Sequence, residues 1–239
     1  MESISIILFG YNESKTIENV FINTLINIQK ITNDFEIIII DDGSSDNSTN
    51  IINDITLKYP FVISIFNNFN LGIGKTLLKG YKKARKDNIC CLPLDGQFDP
   101  KELLKIKDID LENNFISFYR IKNFQYSIFR KSLSKINFLL NFLILGIYLK
   151  DVNWVKIYKN KHLKKINISL SSSLIETEIC AKLIINKINP IQIESLYLNR
   201  TYGESKINSY KILSRVILEI PILVYNIITF RIKKLFARK

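Results

Sequence analysis

Two oxygen-bearing side chains, two residues apart, mark the place where this chain could do chemistry. Cys90-Cys91-Leu92-Pro93-Leu94 is an apolar run short enough for a buried strand, and it stops abruptly at Asp95-Gly96-Gln97-Phe98-Asp99-Pro100. From one loop, the carboxylate at 95 and the amide at 97 can bring two oxygens to a single hard divalent ion. Buried strands of α/β sheets present such loops at their carboxyl ends, where ligands sit in the crevice beyond the sheet. Taken alone, the loop is commonly a turn with a solvated aspartate; its weight comes from the stretches upstream.

Those stretches repeat one arrangement. Ile4 to Phe9 reads as a buried strand ending at Gly10, followed by Tyr11-Asn12-Glu13-Ser14 and a helix carrying Ile17, Val20, Phe21 and Leu25, with Ser14 as its expected cap. Phe35 to Ile40 is a second strand, ending in Asp41-Asp42-Gly43-Ser44-Ser45-Asp46 before a helix whose inner face carries Ile51, Ile52 and Ile55, with Leu57 near its end. Val62 to Phe66 is a third, ending in Asn67-Asn68-Phe69-Asn70-Leu71-Gly72-Ile73-Gly74, and a helix over 75–86 follows. Alternating strands and helices imply right-handed crossovers and a mostly parallel sheet, which gathers these polar loops on one edge. A nucleotide site at that edge follows from the topology. There is no GxxxxGK(S/T), and Gly72-Ile73-Gly74 lacks the third glycine of a dinucleotide fingerprint, which argues against a P-loop NTPase and a nicotinamide dehydrogenase.

The composition sets the outer bounds. The 239 residues are enough for one substantial α/β domain, and 47% hydrophobic with 23% charged residues describes a globular chain. A formal net charge of +12 points to an anionic partner: nucleic acid, a phosphorylated ligand or an anionic membrane surface. Aromatic residues interleaved with the basic ones on one face are absent, as is a recognised module, so nucleic acid is not the expected partner. Three cysteines without ligand or disulfide spacing read as buried thiols in a reducing compartment. The lone His162 is expected on the solvated surface. No signal-peptide pattern precedes the first strand, so the chain is expected to start in the cytosol.

In this order the stretches Ser5–Glu13, Glu36–Asp46, Asn70–Gly74 and Asp95–Pro100 resemble the family 2 glycosyltransferases of GT-A fold. They are most similar to the dolichol-phosphate mannose synthase-like, polyprenyl-phosphate branch. Arg200-Thr201-Tyr202-Gly203-Glu204-Ser205-Lys206 is similar to that branch's R-x-x-G-x-S-K signature, and the resemblance covers roughly the first 208 residues. It implies a GT-A catalytic domain over 1–208 and membrane-surface helices over 209–239. It also implies a nucleoside-diphosphate sugar pocket of Tyr11, Asn12, Glu13, Asp42, Gly43, Gly72 and Asp95, with Asp42 reading the base or ribose. Asp95 corresponds to the last carboxylate of the family's D-x-D motif, and with Gln97 it would hold Mg²⁺ or Mn²⁺ against the donor diphosphate. Pro93 stands where the first carboxylate of that motif falls.

The resemblance further implies an acceptor-phosphate cluster of Arg120, Arg130, Arg200 and Lys206, an inverting transfer to undecaprenyl or dolichyl phosphate, and peripheral residence at the cytoplasmic membrane face. Lys150-Asp151-Val152-Asn153-Trp154-Val155-Lys156 is similar to the family's D-x-x-x-G-F-K segment, with Val155 where glycine is commoner. A phosphate acceptor is already an anion and needs no strong base; a sugar hydroxyl would need one, with Asp151 or Glu178 as candidates. Asp95, Gln97 and Asp151 are thus the expected catalytic group. The competing readings are transfer to a saccharide or lipid-linked glycan hydroxyl, and a degenerate non-catalytic member. A homo-oligomer is compatible with either.

Two apolar segments close the chain. The run 136–149 is too short to span a bilayer and is expected to be a core or interfacial helix. Over 209–239, Pro221 is expected to divide a pair of helices lying on a bilayer, their basic end on anionic headgroups.

Overall fold

The computed structural model describes residues 2–121, 142, 146, 148–200 and 210–236, with side chains of the last segment from 214. The apolar runs form the expected strands: β1 (Ser3–Gly10), β2 (Asp34–Asp41), β3 (Val62–Phe66) and β4 (Asn88–Pro93). Ile37 to Ile40 in β2 are fully buried in succession, as are Ile6, Ile7 and Leu8 in β1. Burial on both faces is the signature of a central parallel strand covered by helices on each side. Between these strands lie α1 (Ile17–Ile28), α2 (Ser48–Lys58) and α3 (Ile73–Lys83).

The second half completes one sheet. β5 (Asn114–Arg120), β6 (Lys156–Lys159) and β7 (Asn189–Ser195) extend it to the order β3-β2-β1-β4-β6-β5-β7. Only β6 runs against the rest, antiparallel to both β4 and β5, while β5 and β7 pair in parallel. That reversal brings the segment before β6 to the edge where the parallel strands end. A short α4 (Asn160–Lys164) leaves the opposite edge, and α5 (Ile175–Ile185) and α6 (Tyr210–Phe236) follow.

Side chains alternate between two cores. On one face Ile7, Ile38 and Ile40 meet Leu77 of α3, Ile179 of α5 and Leu223 and Ile227 of α6. On the other, Ile6, Leu8 and Ile39 meet Phe21 of α1 and Ile52 of α2.

Several expectations are corrected. Thr16, not Ser14, precedes α1, its hydroxyl donating to the carbonyls of Glu13 and Leu94. Leu57 points out to solvent, because the inner stripe of α2 ends at Ile55. α3 starts at Ile73 and ends at Lys83, both earlier than expected. His162 is half-buried, with Nε2 2.8 Å from the carbonyl of Glu112. The C-terminal segment is one helix, not two, and contains Pro221. That proline is on the exposed side, so the i−4 hydrogen bond it forgoes lies away from the core. Most of the run 136–149 lies outside the described residues.

Candidate active site

Every polar loop singled out above leaves the same edge of the sheet, because each follows a parallel strand. The loop after β1 is tied to the loop after β2 by short side chains. Asn12, at a φ of 57°, accepts from the Ser45 amide at 2.8 Å, and its own amide donates to Ser44 Oγ at 2.8 Å. The amides of Glu13 and Ser14 donate to Ser48 Oγ and Asp46 Oδ2. Serines and aspartates suit such loops because their short side chains cap nearby backbone donors.

Asp42 is buried and occupied by the loop after β3. Its Oδ1 accepts from Asn67 Nδ2 at 2.8 Å and from the Leu71 amide at 2.9 Å, and its Oδ2 from the Gly72 amide at 2.9 Å. In this arrangement the carboxylate fixes the loop after β3 against the loop after β2. Gly43, at a φ of +74°, lets the backbone of Phe69 come so close that a Cβ would sit 2.5 Å from its carbonyl carbon. Gly72, at +88°, immediately precedes α3.

Asp95 sits just beyond β4 with its Oδ1 accepting from the Gln97 amide at 3.0 Å. Burial pushes its carboxyl above the usual range; that hydrogen bond and the positive charges of Arg200 and Arg120 offset the shift only in part. The residues after β7 then lie beside this loop: Phe98 and Tyr197 form an antiparallel bridge, and the Leu198 amide donates to the Gln97 carbonyl at 2.9 Å. Gln97 Nε2 donates to the Tyr197 hydroxyl.

Arg120 closes the other side. At the end of β5, its Nε and Nη2 donate to the two oxygens of Asp151 at 2.7 and 3.2 Å. Its guanidinium lies 4.9 Å from the Trp154 ring and 5.3 Å from the Tyr197 ring. Trp154 is itself held by donation from Nε1 to Ser195 Oγ at 2.9 Å. Paired and stacked, a guanidinium is fixed in orientation. Asp151 therefore positions Arg120, and both oxygens that a general base would use are engaged.

Trp154 and Tyr197 had no role assigned from sequence. The available signal was slight: the chain's one tryptophan, within the segment resembling D-x-x-x-G-F-K. Arg200 forms an ion pair with Glu13, joining the segment after β7 to the loop after β1. Glu178 is no candidate base. It is fully buried, accepting from the amides of Ser169 and Leu170 and from Lys182 Nζ at 2.5 Å. Arg130 and Lys206 lie outside the described residues.

The sequence profile of glycosyl transferase family 2 matches residues 5–171. The chain belongs to this family. Among its relatives, the undecaprenyl-phosphate 4-deoxy-4-formamido-L-arabinose transferase of Proteus mirabilis (strain HI4320) is 25% identical over 218 residues. The match covers 90% of this chain and 65% of that protein. S. aureus TarS 1–349, solved with UDP-GlcNAc, superposes with a TM-score of 0.61 at 18% identity, covering 98% of this chain and 73% of that one. M. tuberculosis glucosyl-3-phosphoglycerate synthase, solved with Mn²⁺, UDP and phosphoglyceric acid, gives 0.59 at 14% identity, covering 97% and 78%. The fold is thus GT-A, with the mostly parallel sheet expected from sequence.

Among the described residues, no three His, Cys, Asp or Glu side chains converge as a closed metal site. Of the oxygen donors at this edge, those that the sequence spacing singles out are the Asp95 carboxylate and the Gln97 amide oxygen. A desolvated carboxylate beside one neutral oxygen fits a hard divalent ion whose remaining ligands come from a diphosphate and water.

Proposed function

We propose that this family 2 member is an inverting glycosyltransferase that transfers a sugar from a nucleoside-diphosphate sugar to a polyprenyl phosphate such as undecaprenyl phosphate. It would work as a peripheral protein at the cytoplasmic face of a membrane. The observation that carries the reading is the pair of arginines held at the strands' carboxyl edge, Arg120 paired with Asp151 and stacked on Trp154 and Tyr197, and Arg200 paired with Glu13. A phosphate acceptor is the substrate class that such guanidinium groups bind best. Names given to relatives such as the Proteus mirabilis protein support the same choice.

The acceptor phosphate oxygen is already anionic near neutral pH and attacks the anomeric carbon directly. The new carbon–oxygen bond forms as the bond to the donor diphosphate breaks, and the nucleoside diphosphate leaves with the electron pair. No proton is removed, so the engagement of Asp151 with Arg120 is no obstacle. Arg120, oriented by Asp151, Trp154 and Tyr197, would hold the acceptor phosphate in line; Arg200 would join it by exchanging its pairing with Glu13. Asp95 and Gln97 would hold Mg²⁺ or Mn²⁺, which supplies positive charge to the departing diphosphate. The loops fixed by Asn12, Asp42 and Gly43 would shape the nucleotide crevice, so that positioning and electrostatics carry most of the rate.

The test is nucleoside diphosphate release from a panel of nucleotide sugars, with and without undecaprenyl phosphate and divalent metal. Acceptor-dependent release is expected, with Asp95→Ala inactive and Arg120→Ala raising the acceptor KM by ~10- to 100-fold. Release that needs a saccharide, or no release with any donor, would overturn the proposal.

A further inference from the structure

α6 is apolar on two sides. Its inner side buries Leu223 and Ile227 against the sheet-covering layer, with Phe230 beside them. On the other side Leu218, Ile222, Tyr225, Ile228, Ile232 and Phe236 recur every three or four residues, all between 47% and 72% exposed. This uncharged stripe runs for about 27 Å at 1.5 Å per residue. Soluble monomers rarely leave such a stripe facing water.

Where the stripe ends, the last turns of α6 meet the α4 end and α5 around a cavity of about 440 Å³. His162, Lys165, Asn186, Lys233 and Lys234 supply its polar wall, Leu183 and Phe230 part of its apolar one, and among the described residues no acidic one lines it. A smaller hollow beside it, about 210 Å³, is lined by Arg231, Lys234, Ile185 and Leu235. Both lie at the sheet edge opposite Asp95, since α4 follows Lys159, which pairs with the first residue of β4. They are therefore distinct from the candidate active site.

We infer that the cavity between α4, α5 and α6 binds the phosphate of an anionic phospholipid, while the exposed stripe of α6 lies in the same bilayer surface. Cations at the mouth of an apolar wall match a phosphate carried on acyl chains, and a helix with an uncharged stripe and flanking lysines matches the headgroup boundary. A second copy of the chain fits less well, because each carries +12. The opposite end of α6 reaches the catalytic edge: Arg215 Nη1 donates to the Leu71 carbonyl at 3.1 Å, in the loop that Asp42 holds. One helix thus joins the lipid surface to the nucleotide loop. The inference rests on the membrane-surface reading proposed above: no vesicle binding would sink both, whereas equal loss in the two lysine pairs or displacement by inorganic phosphate would sink the inference alone.

The full chain is sedimented with vesicles of phosphatidylcholine alone or with phosphatidylglycerol. Binding to the anionic vesicles and little to the neutral ones is expected. Lys233→Glu with Lys234→Glu should weaken it by about 30-fold or more, at ~1 kcal/mol for each charge near the surface. Lys30→Glu with Lys58→Glu, an equal change of charge beside α1 and α2 on the other face of the sheet, should change it less than ~3-fold, because that face is turned away. Ile222→Asp with Ile232→Asp, both on the exposed stripe, should abolish binding while leaving the thermal midpoint in place. Inorganic phosphate at matched ionic strength should not displace the protein. Four results would each overturn the inference: no binding to anionic vesicles, equal loss in the two lysine pairs, displacement by inorganic phosphate, or a solution dimer that the stripe variant dissociates.

Discussion

Asp95 carries an internal tension: its proposed role calls for a charge, and burial disfavours that charge. Its carboxyl is pushed above the usual range by desolvation, despite the Gln97 amide and the nearby arginines. For an acid with a raised folded-state pKa, folding favours the protonated form, so stability falls as pH rises through the window above the ordinary aspartate value. Asp95→Asn keeps an oxygen for the Gln97 amide and removes the charge. We expect it to lose activity by ~10³-fold or more, while its thermal midpoint at pH 7 stays level or rises by a degree or two. A calorimetric scan beside the release assay checks both, and a lower midpoint would contradict the account. At this scale the sequence was informative where chemistry is local. Asp95 and Gln97 sit at a strand end that their own neighbours define. Trp154 and Tyr197 were missed because they flank Arg120 only after β5, β6 and β7 assemble. Glu178 failed as a base for the converse reason: nothing in its helical pattern announces that Ser169, Leu170 and Lys182 enclose it.

Among elements, strands β1 to β4 were legible because continuous β-branched runs between polar loops allow few other readings. α6 was not, because Pro221 is normally a helix boundary. A proline on the outward side of a helix whose inner side is anchored by Leu223 and Ile227 is tolerated, and only tertiary packing reveals that anchor. The loops behave as a coupled unit in a way the sequence shows only in part. Asp41-Asp42-Gly43 reads as a turn, yet Gly43 is needed because the loop after β3 presses its backbone against it. Gly43→Ala combines a left-handed conformation, costing ~1–2 kcal/mol, with a Cβ that the Phe69 backbone cannot avoid. We expect a loss of about 2 kcal/mol or more of stability, and a donor KM raised more than the acceptor KM, since the shift moves the Asp42-held loop. Urea unfolding and a two-substrate kinetic series separate these effects; a wild-type donor KM would detach the loop from the nucleotide crevice.

For the whole molecule, the +12 charge sets the expectation of an anionic partner but does not tell which carboxylates are tied into the fold. Three carboxylates prove important to the fold. Glu36 is almost fully buried between β2 and the end of α3; burial works against its ionisation, but Ser5 and Arg85 hold its carboxyl below the usual range. The exposed Asp46 and the half-buried Glu219 are also held below the usual range, a smaller loss of solvation being outweighed by hydrogen bonds from Ser48 and Ser14, and from Ser172 and Ser171, respectively. A carboxyl whose folded pKa is depressed contributes stability above its unfolded value, and that contribution is lost as pH falls through the folded value. Because all three are depressed, the loss begins only below the ordinary carboxylate range near pH 4 and deepens with further acid. Over the same descent Asp95 takes up its proton earlier, which works in the opposite direction. The urea midpoint should therefore hold steady or rise slightly from pH 7 to 5 and then drop steeply below about 4. Glu36→Gln leaves Arg85 facing a neutral partner, so it should lower the unfolding free energy at pH 7 by ~1–3 kcal/mol while flattening the acid limb. If the variant kept the wild-type slope below pH 4, the acid sensitivity would belong to general charge repulsion in a strongly basic chain, and not to the Glu36–Arg85 pair that ties the start of β2 to the segment after α3.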